Sequence, residues 1–215
     1  MEKRRDSATA YIILADGFET IEALTPLDVL RRCGVEVTTI SLNKTRAVRS
    51  SHGVTVEADA TMEEYMLKRS NAGSSSSAGS STTASSANTT AGSCPRQALI
   101  LPGGYPGYKN LCESAEVGAL ITQFHKEGKL LCAICGAPTA LKANQICRGA
   151  AITCHTSVKE ELSDYYSILS SAVVKYMNII TGMGAGRSLD FAFAIAESLT
   201  SKEKVEEIKA KMEII

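Results

Sequence analysis

Short apolar runs alternate with stretches of helical period along most of this chain, and that rhythm limits the fold more than any other feature. AYIILAD (10–16), EVTTISL (36–42), QALILPGG (97–104), KLLCAIC (129–135) and AAITCH (150–155) are each the length of one strand. Apolar runs of that length are expected in strands covered on both faces. Between them, residues 18–33 place Ile21, Leu24, Leu27, Val29 and Leu30 near helical spacing, with Gly34 as a stop signal. Residues 61–69, 114–127, 138–146, 188–200 and 202–212 read as further helices. Residues 173–181 read as one or two strands, and the turn at His52-Gly53 as a short hairpin. Strands regularly separated by helices imply an α/β fold: a parallel sheet with helices on both faces. In such folds, sites lie outside the carboxyl ends of the strands.

One stretch breaks the rhythm. Residues 70–93, SNAGSSSSAGSSTTASSANTTAGS, use only Ser, Thr, Ala, Asn and Gly. Nothing in them is large enough to offset the entropy of ordering, so they are expected to form a disordered insertion within a single domain. Residues 1–9 read as a polar arm, leaving 10–215 as the domain. Asn88-Thr89-Thr90 matches a glycosylation sequon, which a cytoplasmic chain would not use.

Charge and cysteine content narrow the function. Lys plus Arg equal Asp plus Glu at 23 each, so net charge is zero. That argues against nucleic acid or an anionic membrane as a partner bound mainly by electrostatics. No apolar run reaches the roughly 20 residues needed to span a bilayer, and MEKRRDSATA has no secretory core. The seven cysteines, at 33, 94, 112, 132, 135, 147 and 154, are odd in number and irregular in spacing. They read as reduced thiols in a cytoplasmic protein, with nuclear or mitochondrial locations left open. Cys132 and Cys135 form a CxxC, but no second ligand pair exists to complete a zinc site, so no metal is expected. Cys132 lies within an apolar strand and reads as core.

The strand ends collect the chemistry. AYIILAD leads to Glu19 and Glu22, QALILPGG ends at Gly103-Gly104, KLLCAIC at Cys135 and AAITCH at His155. A thiol on a strand-to-helix corner faces free amides, which favour a thiolate. The Gly104 and Gly136 N–H groups suit an oxyanion hole. A carboxyl beside a thiolate is held protonated and can serve as a general acid/base. Glu19 reads as an ordinary dipole partner at a helix start. Glu22, next to the apolar face, is harder to dismiss. His52 and His125 have polar neighbours and read as solvated.

LADGFETIEALTPLDVLRRCGVEVT, LPGG, AICGAPTAL, AAITCH and GAGRSLDFAFAIAE together resemble the ThiJ/PfpI superfamily. More narrowly they are similar to the branch of the Parkinson's-disease-associated deglycase and its bacterial relatives. The resemblance implies a flavodoxin-like doubly wound fold, a homodimer and no cofactor. It implies Cys135 as the reactive cysteine, Glu22 as the protonated glutamate, and His155 as the nearby histidine. Gly104 and Gly136 would supply oxyanion amides, with Gly103 in the same substrate-binding turn. The expected activity is conversion of reactive dicarbonyls such as methylglyoxal to 2-hydroxy acids, or removal of early glycation adducts. A redox-sensing chaperone acting through Cys135 is the alternative, and a role in thiamine thiazole-phosphate biosynthesis is a third. The chain departs from the family pattern in reading Gly136-Ala137 after the cysteine, Thr156 after the histidine, and Gly184-Ala185-Gly186-Arg187 at a turn near the site. Arg187 is therefore a candidate for substrate contact. His52 stands where relatives often carry an arginine at the pocket rim. Rival branches fit less well. A protease-like relative would place histidine directly after Cys135, and an amidotransferase would need a carboxylate at Ser157.

Overall fold

The computed structural model describes residues 8–74 and 97–214. In chain order the elements begin β1 (Thr9–Leu14), α1 (Thr20–Arg32), β2 (Glu36–Ser41), β3 (Ala47–Arg49), β4 (Thr55–Glu57), β5 (Ala60–Thr61) and α2 (Met62–Ser74). After the insertion come β6 (Gln97–Leu101), α3 (Gly107–Glu113), α4 (Ala115–Lys126), β7 (Leu130–Ile134), α5 (Pro138–Ala143) and β8 (Ala151–Ile152). The chain closes with α6 (Lys159–Ser163), β9 (Ser167–Ile168), β10 (Val173–Tyr176), β11 (Ile179–Gly182), α7 (Ser188–Leu199) and α8 (Lys202–Lys211).

Seven strands form one sheet in the order β10-β11-β7-β6-β1-β2-β5. All neighbours are parallel except β10, which returns antiparallel beside β11. The uniformly apolar runs are explained by what covers them. Ile12, Leu14, Ile100, Cys132 and Ile134 pack on one face with Val29 and Leu30 of α1 and Phe191 and Ile195 of α7. Ile13, Leu99, Leu101, Leu131 and Ala133 pack on the other with Leu120, Ile121 and Phe124 of α4 and Leu141 of α5. Each fully buried Leu, Ile or Phe side chain contributes about 1.5–3 kcal/mol, whereas a surface ion pair contributes about 0–1. The doubly covered central strands therefore dominate the fold. Cys132 is fully buried, as its strand position implies.

Several expectations are corrected. AAITCH is not a strand of the main sheet: only Ala151 and Ile152 pair, with β9, in a separate two-stranded sheet. The helix at residue 61 runs on to Ser74, so residues 70–74 are helical rather than part of a disordered loop. The rest of that insertion, with the sequon and Cys94, lies outside the described residues. The first strand starts at Thr9, inside the stretch taken for a polar arm, whose residues 1–7 are likewise outside the described residues. α3 has no counterpart in the sequence reading. The hairpin expected at His52-Gly53 is present as β3 and β4. Among the described residues, no helix is long and apolar enough to cross a membrane.

Candidate active site

β7 delivers Cys135 to the carboxyl edge of the sheet and the chain turns sharply there, with a φ of 64°. A residue with a Cβ in that left-handed region stores roughly 1–3 kcal/mol of strain. The surroundings hold it in place. The Cys135 N–H donates to the Gly182 carbonyl at the end of β11 at 3.0 Å, and its own carbonyl accepts from the His155 N–H at 2.9 Å. The thiol is thereby projected over the gap between β7 and β6, where Gly103 and Gly104 follow β6.

Glu22, in the first turn of α1, reaches the same gap and is fully buried. Its Oε2 accepts from the Gly103 N–H at 2.8 Å, its Oε1 is buried without a hydrogen-bond partner among the described residues, and the carboxyl acts on the Cys135 thiol as its neighbouring charge. Gly103 is required by close approach. A Cβ there would stand 2.6 Å from both Cys135 Cβ and Glu22 Oε2, and 3.1 Å from the sulfur. Because its amide is committed to Glu22, Gly103 does not offer that amide to the cavity, contrary to the expectation of an oxyanion contact. The backbone amides of Gly104 and Gly136 favour the ionised form of the sulfur. Gly136 is also confined: a Cβ would meet the Tyr108 ring at 2.7 Å.

The electrostatics are those of two buried acids sharing one place. Burial, with a smaller push from the Glu19 carboxylate, lifts Glu22 to about 7, against the Cys135 side chain and the Gly103 N–H, which both lower it. Burial, then the Glu22 charge, pushes the Cys135 thiol up to about 12, against the two glycine amides. A corner position alone therefore does not give a low-pKa thiol. α5 is only six residues long and begins without a side-chain cap, so its dipole is weak against desolvation. When Glu22 is protonated, its repulsion of the sulfur vanishes and its O–H becomes a donor to it.

A cavity of about 780 Å³ opens onto Cys135 and Glu22. Its wall includes Glu19, Ser51, His52, Gly104, Tyr105, His155, Met183 and the turn Gly184 to Arg187. His155 is brought there by the loop after β8 rather than by a sheet strand. Its Nδ1 accepts from the Ser157 N–H at 3.2 Å and meets the Ser157 hydroxyl at 2.9 Å. In the neutral ring Nε2 then carries the proton. The structure gives no hydrogen bond between this ring and the Cys135 sulfur among the described residues. Arg187 lines the cavity half-exposed, with Nη1 3.6 Å from Asp190. His52 is exposed at the rim, as expected.

One residue differs from its sequence reading, and a second takes on more than that reading gave it. His125 is partly buried rather than solvated; its Nε2 is 3.7 Å from the Cys147 sulfur, and its Nδ1 is buried without a partner among the described residues. Glu19 precedes α1 as its N-cap and accepts the Glu22 N–H at 2.8 Å. The signal for it was its spacing three residues before Glu22, the reach of a capping side chain.

The chain has counterparts among known proteins. Protein dj-1beta of Drosophila melanogaster is 34% identical over 203 residues, covering 94% of this chain and 95% of its own. The crystal structure of Drosophila melanogaster DJ-1beta matches with a TM-score of 0.81 at 32% identity, covering 97% of this chain and 99% of that one. A Caenorhabditis elegans protein named glutathione-independent glyoxalase DJR-1.2 is 29% identical over 198 residues, with 91% of each chain covered. The DJ-1/PfpI family pattern matches residues 8–198, which contain every strand of the sheet and every residue of the cavity wall. On sequence and overall fold alike, the chain belongs to the DJ-1/PfpI family.

Proposed function

We propose that the chain converts small α-dicarbonyls to 2-hydroxy acids, with Cys135 as nucleophile and Glu22 as proton carrier, and without a cofactor. The observation that carries this reading is the contact between a strained, cavity-facing thiol and a buried carboxyl whose proton is held to about 7. The glyoxalase name of the nematode relative supports the substrate class.

The reactive form is the thiolate beside a protonated Glu22. With methylglyoxal, sulfur adds to the aldehyde carbon and the carbonyl π electrons move to oxygen. The Gly104 and Gly136 amides stand beside that sulfur and are placed to steady the developing charge. Glu22 gives its proton to the alkoxide, forming a hemithioacetal. The resulting carboxylate removes the proton on that carbon, giving an enediolate, and returns it to the neighbouring carbon, while the hydroxyl proton passes from the first oxygen to the second as the C=O of the thioester forms. The product is a lactoyl thioester on Cys135. Water attacks its carbonyl, the C–S bond breaks, and lactate and the thiol are released; the sum is methylglyoxal plus water. His155, with its proton on Nε2, is assigned to donate to a substrate oxygen at the cavity wall. Arg187 is assigned to contact the distal part of the substrate. The same chemistry on an early glycation adduct would release the amine instead. The homodimer belongs to the same proposal, and sedimentation at twice the chain's mass is its expected result.

The test is turnover of methylglyoxal by the purified protein, with lactate followed by proton NMR. Cys135→Ser should abolish it, Cys132→Ser should retain it, and Glu22→Gln should lower it by roughly a hundredfold or more. Wild-type turnover that survives intact in Cys135→Ser overturns the proposal.

A further inference from the structure

Glu19 holds Glu22 and the Gly103-Gly104 turn together from one side of the constellation. Its Oε2 accepts the Glu22 N–H at 2.8 Å, fixing the first turn of α1. Its own N–H donates to the Gly103 carbonyl at 2.9 Å, while the Gly103 N–H donates to Glu22 Oε2. Glu19 and Glu22 are thus tied to the same residue from opposite sides. A Cβ on Gly104 would collide with the Glu19 amide, so the strand-end turn and the helix start are packed backbone to backbone. The remaining oxygen, Oε1, points toward His52 in the β3–β4 hairpin, with Nδ1 at 3.9 Å. The Glu19 side chain is only 14% exposed and forms part of the cavity wall.

An N-cap needs only an acceptor; serine, threonine or asparagine serves as well as a carboxylate. A charged cap three residues before a buried acid does something more. Two carboxylates at that spacing cannot both ionise without repulsion. Consistent with this, the Glu19 carboxylate raises Glu22 but is not among the groups that shift Cys135.

We propose that Glu19 is a positioning residue whose capping carboxylate biases the shared proton of the Glu22–Cys135 pair toward Glu22, enlarging the share of thiolate. The proposal rests on reading Glu22 and Cys135 as the reacting pair, and names the residue that sets the balance between them. The groups facing the pair are Glu19 from the start of α1, the Gly103, Gly104 and Gly136 amides from the strand ends, and the His52 imidazole behind Glu19. Protonated His52 would offset the Glu19 charge and weaken the bias.

Alkylation of Cys135 by iodoacetamide, resolved from the other thiols by peptide mass spectrometry, reads this balance without any dicarbonyl turnover. Its outcome therefore stands whether or not methylglyoxal is the substrate. Glu19→Gln keeps an acceptor for the Glu22 N–H and removes the charge. It should slow Cys135 alkylation at pH 7 by about threefold, as expected for one charge acting unequally on two sites in a medium of intermediate dielectric. In a Glu22→Gln background no proton is shared, and the same change should leave the rate equal or slightly faster. Glu19→Asp, which keeps the charge, should lie nearer the wild type than Glu19→Gln does. A purely capping role predicts a different pattern: Glu19→Gln silent, and Glu19→Ala lowering the melting temperature with an unchanged thiol rate. An unaltered rate in Glu19→Gln, or equal slowing in both backgrounds, overturns the proposal.

Discussion

A carboxyl group with no exposed surface, near 4.5 in the unfolded chain and about 7 in the fold, couples proton release to stability. Below 4.5 both states hold the Glu22 proton, and burial as the neutral acid carries little electrostatic cost. Between 4.5 and 7 the unfolded chain releases the proton while the folded protein retains it, so stability falls as pH rises through that window. Above 7 both states are ionised and the loss is complete, at roughly 3 kcal/mol. Glu22→Gln removes the titrating group. Its unfolding free energy minus that of wild type, measured by urea titration, should grow from pH 4.5 to 7 and then level off. A flat difference would mean that Glu22 titrates normally. The sequence disclosed Cys135 and Glu22 because a thiol at a strand end and an acid on an apolar helix face are both out of place. It did not disclose Glu19, whose position suits an ordinary cap, or the left-handed backbone at Cys135, which depends on Gly182 and His155 far along the chain. The burial of His125 was hidden because its polar sequence neighbours differ from the Cys147 it meets in space.

Elements were legible in proportion to how completely they are covered. β1, β2 and β7 were found within two residues, a margin normal for element ends, and β6 within three, because both of their faces are buried and the runs are largely apolar. β8 was overread for the same reason: AAITCH is apolar, but four of its residues serve packing and the turn to His155 rather than a ladder. α3 was missed because GYKNLCE opens on glycine and carries a single leucine, leaving no period to detect. α2 shows a helix end that composition disguised, since Ser70 to Ser74 continue it into residues that look like linker. The insertion between α2 and β6 then yields an element-scale prediction. Its composition offers nothing for a core, and closing a loop depends only weakly on its length. Replacing residues 75–93 by a Gly-Ser link of about ten residues should leave the melting temperature and Cys135 alkylation nearly unchanged. A marked fall in either would assign the segment a structural partner.

At the scale of the whole molecule, 23 acidic and 23 basic side chains leave no net charge at neutral pH. Mutual repulsion between copies is correspondingly small. A seven-stranded sheet with two open margins would then be at risk of joining its neighbours strand to strand. One margin, β5, is only two residues long and passes directly into α2. Beside the other lies the small β8–β9 sheet: Thr153, just beyond β8, donates its hydroxyl to the Ser171 carbonyl at 2.8 Å, two residues before β10. β10 itself carries Lys175, whose ammonium meets Glu197 at 2.9 Å on the surface. Lys175→Val should barely change melting temperature, because that ion pair is exposed, yet shorten the lag before thioflavin-positive fibres form on prolonged agitation. An identical lag would locate the protection in the small sheet alone. Short, and lying beside that margin outside the main ladder, β8 and β9 have the form that a guard on a sheet edge requires.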